Sequence, residues 1–150
     1  MNARLIVGLL FLGGTLFYLP TLYALMKMEF KIKGFRINSL KGESVDLSIL
    51  LQLLNLSKID VNLQKFDFDV KFQNIIIGKI NSELNINLIQ SVPQQIELRF
   101  IVEKKETTNL LFNSILNGNF KTKNIEISGY ITANEKLFPY STSFNISDYL

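Results

Sequence analysis

The sequence predicts a mainly β chain: an antiparallel β-sandwich with one short helix, carried behind a single N-terminal transmembrane helix. Three observations lead there. The run from Leu5 to Met26 contains no charged side chain, whereas Arg4 and Lys27 bound it. Beyond Lys27 the apolar residues recur with a period of two, which is the signature of half-buried strands. Turn chemistry separates these runs, and a length of 150 residues suits one domain with a sizeable core.

As a helix the uncharged run is roughly 33 Å long at about 1.5 Å per residue, enough to cross a hydrocarbon core of about 30 Å. Leu5, Leu9, Leu12 and Leu16 are its anchoring side chains. Tyr18 and Tyr23 lie towards one end, where amphipathic rings favour the headgroup level. Pro20 removes the hydrogen bond to Leu16 and predicts a kink there. Gly8, Gly13 and Gly14 lack the spacing of a helix-dimerisation motif. A cleaved secretory signal is the competing reading, but its best cleavage site, after Ala24, would place Leu22 where a small residue is needed. The expected organisation is an anchor over residues 1–27 and a sandwich over 28–150. Lys27, Lys31, Lys33 and Arg36 form the larger basic flank and favour a cytoplasmic sandwich, yet strand alternation alone also turns Lys31 and Lys33 outward, so the orientation stays open.

The first strand alternates Met28, Phe30 and Ile32 with Glu29, Lys31 and Lys33, and the second alternates Val45, Leu47, Ile49, Leu51 and Leu53. Ile59, Val61 and Leu63 begin a third whose apolar parity then moves to Phe66, Phe68, Val70 and Phe72. One extra residue exchanges the faces of a strand, so this switch predicts a β-bulge or bend. The series continues through Ile75 to Ile77 with Gly78, Leu84 to Leu88, Ile96 to Val102, Ile125 to Ile131, and finally Phe144 and Ile146. Turns are expected at Lys41-Gly42, Gln73-Asn74, Ser91-Val92-Pro93 and Asn134-Glu135. Only Thr107 to Asn117 breaks the period: Leu110, Leu111, Ile115 and, one face over, Phe112 and Leu116 follow helical spacing, with Thr107 or Thr108 as N-cap and Gly118 just past the end.

The segments Asp46 to Leu54, Asn55-Leu56-Ser57, Ile59 to Phe72 and Ile77-Gly78 resemble the late embryogenesis abundant type-2 domain, also called the water stress and hypersensitive response domain. In that family a long strand ends in an Asn-Pro-Asn or Asn-Pro-Ser turn before a second long strand and a hairpin with an x-Gly step. Here Leu56 replaces the central proline. The helix before Ile127-Ser128-Gly129 agrees, as does Pro139, which the resemblance has opening the last strand. The resemblance implies a fibronectin-III/immunoglobulin-like sandwich, often tethered to a membrane by an N-terminal helix and lacking a catalytic site.

Composition excludes most chemistry. With no Cys there are no disulfides, thiolate metal sites or Cys nucleophiles, and with no His the usual general base and the commonest metal ligand are missing. Ser-His-Asp and Cys-His triads and zinc hydrolase sites are therefore excluded, and no cofactor is expected. Asp67 and Asp69 are two residues apart and share a strand face, a geometry that could hold a divalent cation. The alternation of Phe66, Phe68 and Val70 explains them equally as a solvated face, and Asp46, Asp60 and Glu43 read the same way. Lys27, Lys31, Lys33 and Arg36 are candidate contacts to anionic lipid headgroups, each worth about 1 kcal/mol near such a surface. Nucleic acid is not an expected partner, since the formal charge is +3 and the pairs Lys104-Lys105 and Lys121 with Lys123 lack interleaved aromatics. Asn55-Leu56-Ser57 and Asn145-Ile146-Ser147 match the glycosylation acceptor pattern, but the Ile, Asn and Lys richness suggests AT-rich codons, as in some bacteria and phages.

The expectation is a membrane-anchored, non-catalytic structural or interaction module of a bacterial envelope or phage virion membrane assembly, with the lipid bilayer and other protein subunits as partners. The alternative is a stress-protective domain that holds a lipid or an apolar segment between its sheets.

Overall fold

The computed structural model describes residues 19–105, 108–119 and 124–149. Helix α1 (Leu19–Met26) leads into seven strands: β1 (Met28–Lys41), β2 (Ser44–Asn55), β3 (Val61–Phe72), β4 (Ile75–Leu88), β5 (Gln94–Glu103), β6 (Asn124–Ala133) and β7 (Lys136–Asn145). Helix α2 (Asn109–Leu116) lies between β5 and β6, and a 3-10 helix, Ile146–Tyr149, follows β7. All pairings between these strands are antiparallel, and they form two sheets ordered β1-β2-β5 and β4-β3-β6-β7. The expected β-sandwich with a short helix is present, and the reason is the alternation itself. Ile96, Leu98, Phe100 and Val102 of β5 are all buried while their neighbours are exposed. Tyr140 on β7 joins the two layers, its ring 5.2 Å from Phe30 of the first sheet and 5.4 Å from Phe68 of the second.

The parity switch in β3 is a bulge at Gln64. Leu63 pairs with Ala133 and Lys65 with Thr132, leaving Gln64 as the extra residue. Its Oε1 accepts the Glu135 N–H at 2.6 Å, so the bulge also caps the β6-β7 turn. All four expected turns are turns. Gln73 and Asn74, and likewise Asn134 and Glu135, have positive φ at both central positions, which matches the right-handed twist of the flanking strands.

Other expectations need correction. Ile75–Leu88 is one strand rather than two apolar runs. A bulge at Lys33 in β1 exchanges its faces and brings Phe35 into the core, a position the simple alternation did not assign. The last strand begins at Lys136 and buries Phe138 and Tyr140 as well as Phe144, while buried Ile146 belongs to the 3-10 helix. Pro139 lies inside β7 rather than at its start, and is tolerated because β7 is a sheet edge whose outer N–H positions need no partner. Among the described side chains of α2, Leu111 and Phe112 are buried, whereas Leu110 is exposed. The run Leu110-Leu111-Phe112 can present either of two faces, and only docking chooses between them. Thr108 occupies the N-cap position without capping the helix: its hydroxyl accepts the Lys105 N–H and donates to the Glu103 carbonyl. Gly118, with φ 71°, ends the helix as expected.

Burial pushes the Tyr140 hydroxyl up to about 12, with a hydrogen bond to Thr142 opposing the shift. A group whose folded pKa is raised stabilises the fold below its unfolded value, near 10 for Tyr, and loses that contribution as pH rises through the folded value. Between pH 10 and about 12 the parent should therefore lose about 2 to 3 kcal/mol that Tyr140→Phe does not lose. Denaturant melts of both proteins at pH 8 and pH 11.5 check this; equal losses would exclude Tyr140 as the source.

Candidate functional site

The two ends of the sandwich differ. The register places Met28, Asn55, Val61, Leu88, Gln94 and Ala133 at the end where α1 joins, and α2 beyond the opposite end of β5. At the α1 end a buried turn gathers three chain segments. Asn55, with no exposed surface, donates through Nδ2 to the carbonyls of Ile59 and Leu88, both at 2.9 Å. Its Oδ1 accepts the Ser57 N–H at 3.0 Å and the Ser57 hydroxyl at 2.7 Å. The Leu56 N–H donates to the Lys27 carbonyl at 3.2 Å, and the Ser91 N–H donates to the Asn55 carbonyl at 2.8 Å. The end of α1, the β2-β3 turn and the β4-β5 loop are thus held within one hydrogen bond of each other. This is the Asn-x-Ser turn on which the sequence resemblance rests, and its amide is fully engaged inside the protein.

Helix α1 is part of the same body. Ala24 and Leu25 are completely buried in the core, Leu22 packs against it, and Asn134 donates to the Thr21 hydroxyl at 3.2 Å. The change from helix to strand falls at Lys27 as expected, but the packed core reaches back across that boundary. Tyr23 is exposed, with the Lys27 ammonium 5.9 Å from its ring centroid. Pro20 lies in α1, and Leu16, towards which its kink is expected, lies outside the described residues. Leu5, Leu9, Leu12, Leu16 and Tyr18 lie outside the described residues. Among the described residues no helix is long and apolar enough to cross a membrane.

The polarity of this end is inverted. Asn55 and Ser57 turn inward, while Leu56 between them is 47% exposed. In the neighbouring loop Ile89 is 55% and Val92 42% exposed, and on α1 Leu19, Tyr23 and Met26 are exposed at helical spacing. Turn residues ordinarily do the reverse, because exposed apolar side chains gain nothing from water.

The basic candidates do not form one cluster. Lys27, Lys31, Lys33 and Arg36 are all exposed, but β1 runs away from α1, and at about 3.3 Å per residue Arg36 stands about 30 Å from Lys27. Lys27 alone adjoins the helix. Asp67 and Asp69 share the outer face of β3, with Phe66, Phe68 and Val70 buried behind them, and Asp69 pairs with Lys79 at 3.5 Å. Among the described residues no group of three Asp or Glu side chains is placed to hold a metal ion. Asp67→Asn with Asp69→Asn should shift stability by no more than about 0.5 kcal/mol, with melting insensitive to calcium, magnesium or chelator. A cation-dependent rise in the parent that the double variant lacks would make the pair a metal site.

Another polar cluster lies on the outer face of the first sheet. Asp46 pairs with Arg99 and accepts from Asn38, and these two hydrogen bonds hold its carboxyl below the usual Asp range. A small cavity of about 120 Å³ adjoins it, lined by Gly34, Phe35, Arg36, Ser48, Leu50 and Glu97. At the facing edges of β4 and β5 an open groove of about 410 Å³ lies between Ile76, Gly78, Ile101 and Lys105.

No protein-family model matches this chain, nor does any curated protein. Solved structures are similar in fold alone. A structural-genomics target matches with TM-score 0.50 at 8% identity, over 79% of this chain and 84% of that one. A protein from Archaeoglobus fulgidus matches with TM-score 0.49 at 7% identity, over 77% and 97%. A β-glucuronidase of glycoside hydrolase family 2 matches with TM-score 0.47 at 10% identity, where this chain spans 11% of that protein.

Proposed function

We propose that this protein is a membrane-anchored, non-catalytic structural or interaction module, a component of a bacterial envelope or phage virion membrane assembly. The observation that carries the reading is the uncharged run from Leu5 to Met26, whose last turns form α1 and pack onto the end of the sandwich. A helix continuous with the core would hold the domain at a fixed place beside the bilayer. The strand order β1-β2-β5 opposite β4-β3-β6-β7 supports the finer fibronectin-III-like reading. The buried Asn55-Leu56-Ser57 turn supports a relation to the late embryogenesis abundant type-2 domains. The partners in this reading are the lipid bilayer and further protein subunits, with no cofactor and no nucleic acid.

The test is fractionation. The full chain should float with membranes and resist a carbonate wash, whereas a chain lacking residues 1–18 should be soluble and retain its sheet signal by circular dichroism. That truncation keeps Thr21, Ala24 and Leu25, which the core uses. Release of the full chain by carbonate would sink the anchor. Purification from its native membrane without any stoichiometric companion would sink the assembly role.

A further inference from the structure

We propose that the α1 end of the sandwich is itself a membrane-seated face, in which Leu56, Ile89 and Val92 dip into the headgroup and acyl boundary beside the anchoring helix. The inference rests on the anchored reading and adds where the domain sits: against the bilayer, end on, with α2 and the β1-β2 turn farthest from it.

Position, polarity and what precedes the face carry the argument. The loops bearing Leu56, Ile89 and Val92 are tied to Lys27, the residue that follows α1, by Leu56 N–H to the Lys27 carbonyl and Ser91 N–H to the Asn55 carbonyl. They cannot be far from whatever surrounds that helix. On α1 the exposed residues Leu19, Tyr23 and Met26 lie at i, i+4 and i+7, one stripe of the helix, while Ala24 and Leu25 face the domain. The helix therefore enters the domain with its outer stripe still apolar, and the three loop residues extend that apolar surface sideways.

The occupant follows from the chain itself. The residues preceding Leu19 continue without charge back to Leu5, so the surface adjoins a segment suited to hydrocarbon. Tyr23 and Lys27, in contact through the ring face, are the pair of residue types that favour the interfacial level. The formal charges at this end are mixed, Lys27, Lys58 and Lys136 against Glu29, Asp60 and Glu135, so seating depends on apolar burial and not on anionic lipid. Contiguous apolar patches rimmed by polar residues mark interaction sites, and here the rim is Lys58, Gln90 and Ser91.

The chain has no Cys, so single labels can be placed cleanly. Full-length Leu56→Cys, Ile89→Cys and Val92→Cys, each carrying an environment-sensitive nitrobenzoxadiazole probe, are reconstituted into phosphatidylcholine vesicles with or without doxyl-labelled lipid. Leu110→Cys, exposed on α2 at the opposite end, is the control. The expected result is a blue-shifted emission, quenched by doxyl lipid, at 56, 89 and 92 but not at 110, unchanged by added salt. If the protein floats with the vesicles while all four labels behave alike and remain unquenched, the anchor holds but the face is not seated, and the inference falls alone. If the protein does not float, the inference and the anchored reading fall together. Shielded labels without doxyl quenching, combined with cross-linking between copies through Leu56→Cys, would assign the face to a second copy and overturn the proposal.

Discussion

Gly129→Ala should destabilise the sandwich by about 4 kcal/mol or more, enough to leave little folded protein in a domain whose total stability is of order 5–15 kcal/mol. Gly129 lies on β6 opposite Phe68 of β3 and Tyr140 of β7, in the middle of the second sheet. A Cβ at this position would stand 2.1 Å from the Asp67 carbonyl oxygen and 2.9 Å from the Phe68 Cα. Both are backbone atoms of a neighbouring strand, so no side chain can rotate away to relieve the overlap. The strands must separate, which adds lost ladder hydrogen bonds at about 1 kcal/mol each to an overpacking cost of about 1–3 kcal/mol. Denaturant melts provide the check. A midpoint close to the parent's would mean that β6 and β3 are not in close contact at this pair.

Asn55→Ala should cost about 3 to 5 kcal/mol. The side chain makes four hydrogen bonds in a site without solvent, and its removal leaves the Leu88 carbonyl and the Ser57 N–H without those partners. Each buried group so orphaned costs about 1–3 kcal/mol, and a small void adds to the loss. The related turn at Asn145-Ile146-Ser147 has the same pair of bonds to Ser147, but Asn145 is half-buried and Ser147 exposed, so water can replace these two bonds when Asn145→Ala removes them. Its cost should be about 1 kcal/mol. Thermal and denaturant melts of the two variants side by side decide the matter. Equal effects would show that the position of the turn, at the junction of α1, the β2-β3 turn and the β4-β5 loop, has no energetic weight.

The second result bears on function because the same turn holds Leu56 and the 89–92 loop in place. If the α1 end rests in the bilayer, Asn55 positions that surface without touching lipid. A loss of stability at Asn55 should then be accompanied by loss of doxyl quenching at a Val92 label, before any loss of flotation.

Much of the architecture was legible because strand alternation is a local consequence of a half-buried sheet. The alternation of Val45 to Leu53 and of Ile96 to Val102 required only that one face be dry, and both runs are buried as read. The β3 bulge was legible for the same reason, since a parity switch in the apolar series has few physical causes. The β1 bulge at Lys33 was harder, because Phe35 offers a single apolar residue after the switch, with Gly34 as the only local hint. Leu110 misled because adjacent apolar residues on a short helix carry no phase of their own.

By itself the sequence determined the uncharged N-terminal run, the period-two strands, the four turns, a short helix within Thr107 to Asn117 and the absence of His and Cys chemistry. These are set by neighbours along the chain, where side-chain type, backbone preference and spacing act directly. The tertiary structure alone decided that Ala24 and Leu25 belong to the sandwich core, that Asn55 and Ser57 turn inward, and that Leu56, Ile89 and Val92 share one end. It also decided that Lys27 and Arg36 are held far apart by a rigid strand rather than gathered at one surface. Those relations join residues distant in sequence through antiparallel register, and register depends on how both faces of every strand are buried at once.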